Sequence, residues 1–272
     1  MAISKEKKLI KDAIQVRKLI IETAFKSGQS SHLGGALSMV ELLCFLYSNF
    51  LKHDPSNPKW EERDVFILSK GHACLGYFAT LCHFGYFDKQ VLETFQQNGS
   101  HLIAHPVKNL KLGIESSNGS LGQGLSFGMG LAIGFQKLNQ QRKVVVMLGD
   151  GECNEGSIWE TAASASELNV KNLIAILDEN GFRNDGPNST YQKSSSLKKI
   201  WKSFGWNVIT FNGNDPSMVI KSFNAIKNNK KNPTILIAKT IKGKGIKMME
   251  GNNDWHHNRI TENIFNEIVN EI

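Results

Sequence analysis

Apolar residues in this chain switch repeatedly between a helical and a strand-like spacing, and the switches fall at glycines. Over residues 5–27, Leu9, Ile10, Ala13, Ile14, Val16, Leu19, Ile20 and Thr23 make one buried stripe, and Gly28 stops it. A loop, GQSSHLGGALS, then leads to a second predicted helix from Met39 to Phe50. Pro55 and Pro58 break the chain before Val65-Phe66-Ile67-Leu68, a short apolar run that empties into Ser69-Lys70-Gly71-His72. A helix is predicted over 73–85, and the glycine-dense segment 113–134 reads as helical from Leu121, with small faces suited to close packing.

The middle of the chain repeats a single unit. Val144-Val145-Val146 begins a buried strand that ends at Gly149-Asp150-Gly151, and Leu173 to Leu177 begins another that ends at Asp178-Glu179-Asn180-Gly181. Between them Ile158, Ala162, Ala165 and Leu168 mark a helix over 155–168. Further strands are predicted at Trp206–Phe211 and Thr234–Ala238 around a helix at 216–228, and the tail ITENIFNEIVNEI reads as a short amphipathic helix. Strand, loop, helix and strand in this order imply an α/β fold, a doubly wound and mostly parallel sheet flanked by helices.

Composition narrows the picture. With 272 residues, 40% of them hydrophobic, and six scattered prolines without a Ser/Gly/Pro-rich linker, residues 1–272 read as a single domain. The net charge of +7 raises nucleic acid as a partner. However, the lysines are dispersed, and the basic run 227–231 sits among asparagines without interleaved aromatics, which argues against nucleic acid and for a solvated basic surface favouring anionic substrates. Cys44, Cys74, Cys82 and Cys153 lack CxxC spacing, so they read as reduced thiols rather than zinc ligands or disulfides. The start lacks a signal-peptide pattern and no apolar run is long enough to span a bilayer, so the expectation is a cytoplasmic protein without a membrane partner.

Candidate chemistry sits where the predicted strands end. Asp150 offers a carboxylate and Asn180, thirty residues on, an amide oxygen, both at the carboxyl ends of parallel strands, where open α/β sheets bind ligands. One carboxylate and one amide, with glycines admitting close backbone approach, suit Mg²⁺ or Ca²⁺ shared with a phosphorylated ligand. His32, His72 and His105 each lie in a glycine loop, and His256-His257 fall in a Gly/Asn-rich stretch. Gathered in one cleft, such residues can polarise a carbonyl or move protons near neutral pH.

SSHLGGALS, RDVFILSKGHACLGYFA, AHP with GIESSNGSLGQGLSFGMGLAIG, GDGECNEGSIWE with ENGFRNDG, and KTIKGKGIKMMEGNNDWHH occur in that order. Together they resemble the N-terminal, diphosphate-binding half of the transketolase family of thiamine-diphosphate enzymes. The resemblance implies the thiamine-diphosphate-binding fold and a cofactor pair of thiamine diphosphate and Mg²⁺ or Ca²⁺. It further implies metal ligation by Asp150, Asn180 and the backbone carbonyl of Phe182. Gly149, Asp150, Gly151, Glu152 and His72 would stand around the cofactor, and Gly119 and Leu121 would present backbone to its aminopyrimidine. His32, His72, His105 and His256 match the family's active-site histidines, although His257-Asn258 stands where the family usually has glycine. Glu155 resembles a carboxylate at the subunit contact.

In the family, a glutamate from a second, pyrimidine-binding domain activates the cofactor ring, and nothing after WHHNRI could supply it here. The resemblance therefore implies a split transketolase. This chain would be the N-terminal subunit, joined to a separate C-terminal partner in an α2β2 assembly, moving a two-carbon ketol unit between sugars or sugar phosphates. The alternatives are half of a deoxyxylulose-phosphate-synthase-like enzyme, a transketolase variant for an unusual sugar, and a non-catalytic regulatory subunit.

Overall fold

The computed structural model describes residues 2–188, 194–226 and 232–271. Along the chain run α1 (Ala2–Ser27), α2 (Leu33–Ser38), α3 (Val40–Phe45), β1 (Val65–Leu68), α4 (Cys74–His83), α5 (Lys89–Leu92) and α6 (Gln123–Lys137). Then follow β2 (Val144–Gly149), α7 (Gly156–Glu167), β3 (Leu173–Glu179), a hairpin of β4 (Phe182–Arg183) and β5 (Gly186–Pro187), and α8 (Ser194–Ser203). β6 (Asn207–Asn212), α9 (Pro216–Ile226), β7 (Thr234–Lys239) and α10 (Glu262–Ile268) complete the order.

Strands β1, β2, β3, β7 and β6, in that spatial order, form one parallel sheet. Alternate side chains of each strand point to opposite faces, so two cores form. Phe66, Val145, Met147, Ile174, Ile176 and Leu236 pack against α1 to α4 and α9. Val65, Ile67, Val144, Val146, Leu173 and Ala175 pack against α6, α7 and α8. Helix α6 lies close to the sheet because Gly128 has no side chain: a Cβ there would come within 3.3 Å of Ile67 Cδ1 and nearer still to Val146. Among the described residues no helix is long and apolar enough to cross a membrane.

Two differences from the sequence reading have physical causes. The GQSSHLGGALS segment is helical from Leu33, six residues before the predicted start. Leu33, Ala36 and Leu37 are fully buried, and that packing outweighs the poor helix propensity of the neighbouring glycines. The same helix is interrupted at Met39 and widens to a π-helical turn at Leu46–Phe50, so the single predicted element is three pieces. Helix α8 and the β4–β5 hairpin are additional to the elements the sequence pattern predicts. The end of the predicted 216–228 helix and the basic run 227–231 lie outside the described residues.

Candidate active site

Register places the first pair of candidate ligands. Gly149 of β2 is the partner of Asp178 of β3, so Asp150 and Asn180 leave the ends of adjacent strands side by side. Asp150 is 1% exposed and turns its carboxylate into the loop after β3. Its Oδ1 accepts from the Gly151 N–H at 2.9 Å. Its Oδ2 accepts from the Gly181 N–H and from Asn188 Nδ2, each at 2.7 Å. Burial, and then the nearby Asp178, push its carboxyl up to about 7 despite these donors. Asn180 is fixed from both ends: its Nδ2 donates to Asp178 Oδ2 at 3.2 Å, and its Oδ1 accepts from the Phe182 N–H at 3.2 Å.

Asp178 is the hub beneath these ligands. Lys70, Ser38 and Thr240 all donate to it, the Ser38 hydroxyl at 2.6 Å, and Lys70 also donates to the Gly35 carbonyl at 2.9 Å. Burial alone would raise the Asp178 carboxyl, but the Lys70 ammonium and the hydroxyl donors hold it below the ordinary value. Glu152 faces away from the ligands. It accepts from Ser69 Oγ, from the Gly122 N–H at 2.8 Å and from the Gly149 N–H at 3.0 Å, which pins the loops after β1 and β2 to the start of α6. Burial raises its carboxyl above the ordinary value. Gly122 sits in the left-handed region at φ +83°, where a Cβ would lie 2.7 Å from Glu155 Cβ and collide with the Ser157 hydroxyl.

A group of histidines forms the other end. The His32 ring centroid lies 5.2 Å from His72, 6.2 Å from His105, 5.4 Å from His256 and 4.4 Å from His257. They come from four separate loops, held by packing and by a backbone bridge in which Ser31 and Asn258 exchange N–H···O bonds of 2.9 and 3.1 Å. Lys242 reaches into this group from the loop after β7: its Nζ donates to His256 Nδ1 at 2.8 Å and to Asn253 Oδ1 at 2.6 Å. Burial lowers Lys242 to about 8. Burial, reinforced by neighbouring histidines and lysines, lowers His32 to about 3 and His256 to about 4, and drives His72 well below its ordinary value. These three rings are neutral at pH 7.

Both ends open on one cavity of about 460 Å³. Its walls include His32, His72, His105, His256, Gly119, Leu121, Gly149, Asp150, Gly151, Glu152, Glu155, Asn180 and Phe182, so every candidate residue named from the sequence faces the same space. Glu155 stands exposed at its rim, at the start of α7, without a capping hydrogen bond. The sequence reading misses Lys70, Lys242, Asn188 and the hairpin residues Arg183 to Asp185. Lys70 and Lys242 lie inside segments quoted above, SKGH and KTIKGKG, but a lysine beside a glycine loop carries no distinctive spacing. No group of His, Cys, Asp and Glu among the described residues forms a metal cage on its own, and the four cysteines are unpaired.

Residues 7–269 match the transketolase thiamine diphosphate binding domain, so the chain belongs to the transketolase family. Two proteins named as the first of the subunits of an apulose-4-phosphate transketolase are similar along most of their length. The one from Actinobacillus succinogenes is 40% identical over 92% of this chain and 90% of its own, and the one from Phocaeicola vulgatus 36% identical over 94% and 90%. A 6-deoxy-6-sulfo-D-fructose transketolase subunit from Clostridium sp. is 35% identical over 94% of this chain and 93% of its own. Among solved structures, transketolase from Leishmania mexicana superposes with a TM-score of 0.89 at 27% identity over 96% of this chain. The chain spans 40% of that enzyme's length.

Proposed function

We propose that this chain, folded as one thiamine-diphosphate-binding unit over residues 1–272, is the N-terminal subunit of a two-subunit transketolase. The observation that carries the reading is the meeting of the Asp150–Asn180 pair with the neutral histidine group across one cavity. Relatives that are themselves single subunits of a transketolase, and that match this chain nearly end to end, support it. So does its span of about two-fifths of a solved transketolase.

The residues present fit the cofactor. A buried carboxylate destabilised by a second carboxylate, an amide oxygen and a nearby backbone carbonyl make a hard-oxygen donor set for a divalent cation. Asp150, Asn180 and the Phe182 carbonyl would hold Mg²⁺ or Ca²⁺, with Gly149, Gly151, Glu152 and His72 around the diphosphate and Gly119 and Leu121 against the aminopyrimidine. Bound thiamine diphosphate supplies the carbanion and the electron sink for cleaving a carbon–carbon bond beside a carbonyl.

The chain's own part is orientation and proton placement. The Lys242 ammonium donates to His256 Nδ1, which leaves the His256 proton on Nε2 as a donor into the cavity. His32, His72 and His105 line the same wall, and neutral rings there serve hydroxyl and carbonyl groups of a sugar without repelling the cation end. Glu155, exposed at the rim, faces outward where a partner would close the cavity. The proposed partner carries the pyrimidine-binding domain and joins this chain in an α2β2 heterotetramer. The unpaired cysteines support a cytoplasmic setting. The substrates are ketoses and aldoses or their phosphates.

The test is a titration of the chain with thiamine diphosphate and Mg²⁺, with and without the partner subunit, followed by a ketol-transfer assay over several ketose phosphates. The reading requires turnover only when both subunits are present. Full turnover by this chain alone overturns the split-enzyme assignment, and absence of turnover with both subunits overturns the activity.

A further inference from the structure

Arg183 occupies the cavity wall without a hydrogen-bonded role for its buried nitrogen. It is the last residue of β4, next to Phe182. Its aliphatic stem crosses Gly151 so closely that a Cβ on the glycine would lie 3.0 Å from Arg183 Cγ, which puts the side chain beside the Asp150 loop. The Nε is buried and has no hydrogen-bond partner among the described residues. Its nearest acid is the exposed Asp185, whose Oδ1 lies 3.7 Å away, beyond hydrogen-bond reach and open to solvent. The Arg183 carbonyl accepts weakly from Lys242 Nζ at 3.5 Å.

A buried guanidinium nitrogen with an open hydrogen-bond valence is costly unless an anion meets it. The lysines of the cavity have partners: Lys70 has Asp178 and the Gly35 carbonyl, and Lys242 has Asn253 and His256. Arg183 is also positioned over Gly151 rather than among the histidines, at the end of the cavity where the carboxylate and amide donors lie. A terminal diphosphate carries more negative charge than one divalent cation cancels, and guanidinium groups bind phosphate oxygens through directed, charge-assisted hydrogen bonds.

We infer that Arg183 is a diphosphate-binding residue, a protein cation that grips the cofactor's tail from the β4–β5 hairpin alongside the metal. The inference rests on the thiamine diphosphate reading above. It gives the hairpin a purpose: the strand pair holds Arg183 against Gly151 while Phe182 offers its carbonyl to the metal site.

The experiment is calorimetric titration of Mg²⁺–thiamine diphosphate into the full-length chain, alone and with the partner subunit, for wild type, Arg183→Ser and Arg183→Lys. Circular dichroism and thermal melts of each protein establish that it is folded. Arg183→Ser should bind the cofactor roughly tenfold to a hundredfold more weakly, with Arg183→Lys between, and the difference should shrink at high salt. The KM for a ketose phosphate at saturating cofactor should not change. Equal cofactor affinity of Arg183→Ser and wild type overturns the inference. So does unchanged cofactor affinity with a raised KM for the phosphorylated sugar, which would make Arg183 a substrate-anion residue. Failure of wild type to bind Mg²⁺–thiamine diphosphate in either sample instead overturns the functional reading beneath it.

Discussion

Lys70 and Asp178 form an ion pair whose side chains are 1% and 0% exposed, directly beneath the loop that bears Asn180. Each charge depends on the other, since neither reaches water. Lys70→Met should leave the Asp178 carboxylate buried and uncompensated and destabilise the chain by about 3–5 kcal/mol, whereas joining it with Asp178→Leu should recover part of that loss. Urea denaturation of the two variants measures this, and a double variant no better than the single would refute the dependence.

Asp150 governs the response to pH at the cation end. Its carboxyl is raised to about 7 from 3.8, so the folded chain holds a proton there that the unfolded chain releases. Without a divalent cation, this group's contribution to stability is complete below about pH 4 and declines as pH rises to about 7. Cation binding needs the ionised form, so Mg²⁺-dependent affinity for thiamine diphosphate should weaken as pH falls below about 7. Asp150→Ala should abolish that binding while the chain stays folded. Calorimetry at pH 6 and pH 8, with thermal melts of the variant, gives both readings.

The histidine group should resist protonation. His32 is lowered to about 3 and His256 to about 4 from 6.5, so the unfolded chain binds protons that the folded chain refuses. Their contribution to stability is complete above about pH 6.5 and is lost as pH falls through that window toward 3 to 4. In an NMR titration, the ring carbon protons assigned to His32 and His256 should stay flat from pH 8 to pH 5. A midpoint near 6.5 for either ring would show that it is solvated.

Gly122 ties the start of α6 to the diphosphate loop through its N–H bond to Glu152. Gly122→Ala combines a positive φ with a collision against Glu155 and Ser157, and should destabilise the chain by about 1–3 kcal/mol. Gly130→Ala lies in open space on the same helix and should be neutral or slightly stabilising. Paired thermal melts decide between a local collision and a general intolerance of side chains on this helix.

The strands carrying Asp150 and Asn180 are legible because a run such as Val144 to Val146, buried on both faces and closed by glycine, has few other readings. The α2–α3 segment is not, since Leu33 and Leu37 are helical through burial against distant residues rather than by local preference. The same division runs through the site. Asp150, Asn180 and the loop histidines announce themselves by residue type beside glycine, and the structure turns them toward one cavity. Lys70, Lys242 and Arg183 gain their meaning only from what stands opposite them: a buried carboxylate, an imidazole and a bare glycine. Contacts 108 residues apart, as between Lys70 and Asp178, leave no trace in local spacing.

The position of β7 has a temporal consequence. It is the last strand in sequence yet lies inside the sheet, between β3 and the edge strand β6, and the loop beyond it delivers Thr240 to Asp178 and Lys242 to His256. Until it slots into place, the cavity lacks part of its floor and one of its lysines. Cofactor capture is therefore a late event in the chain's maturation, and a nascent or partly denatured chain is sterilised before it is dismantled.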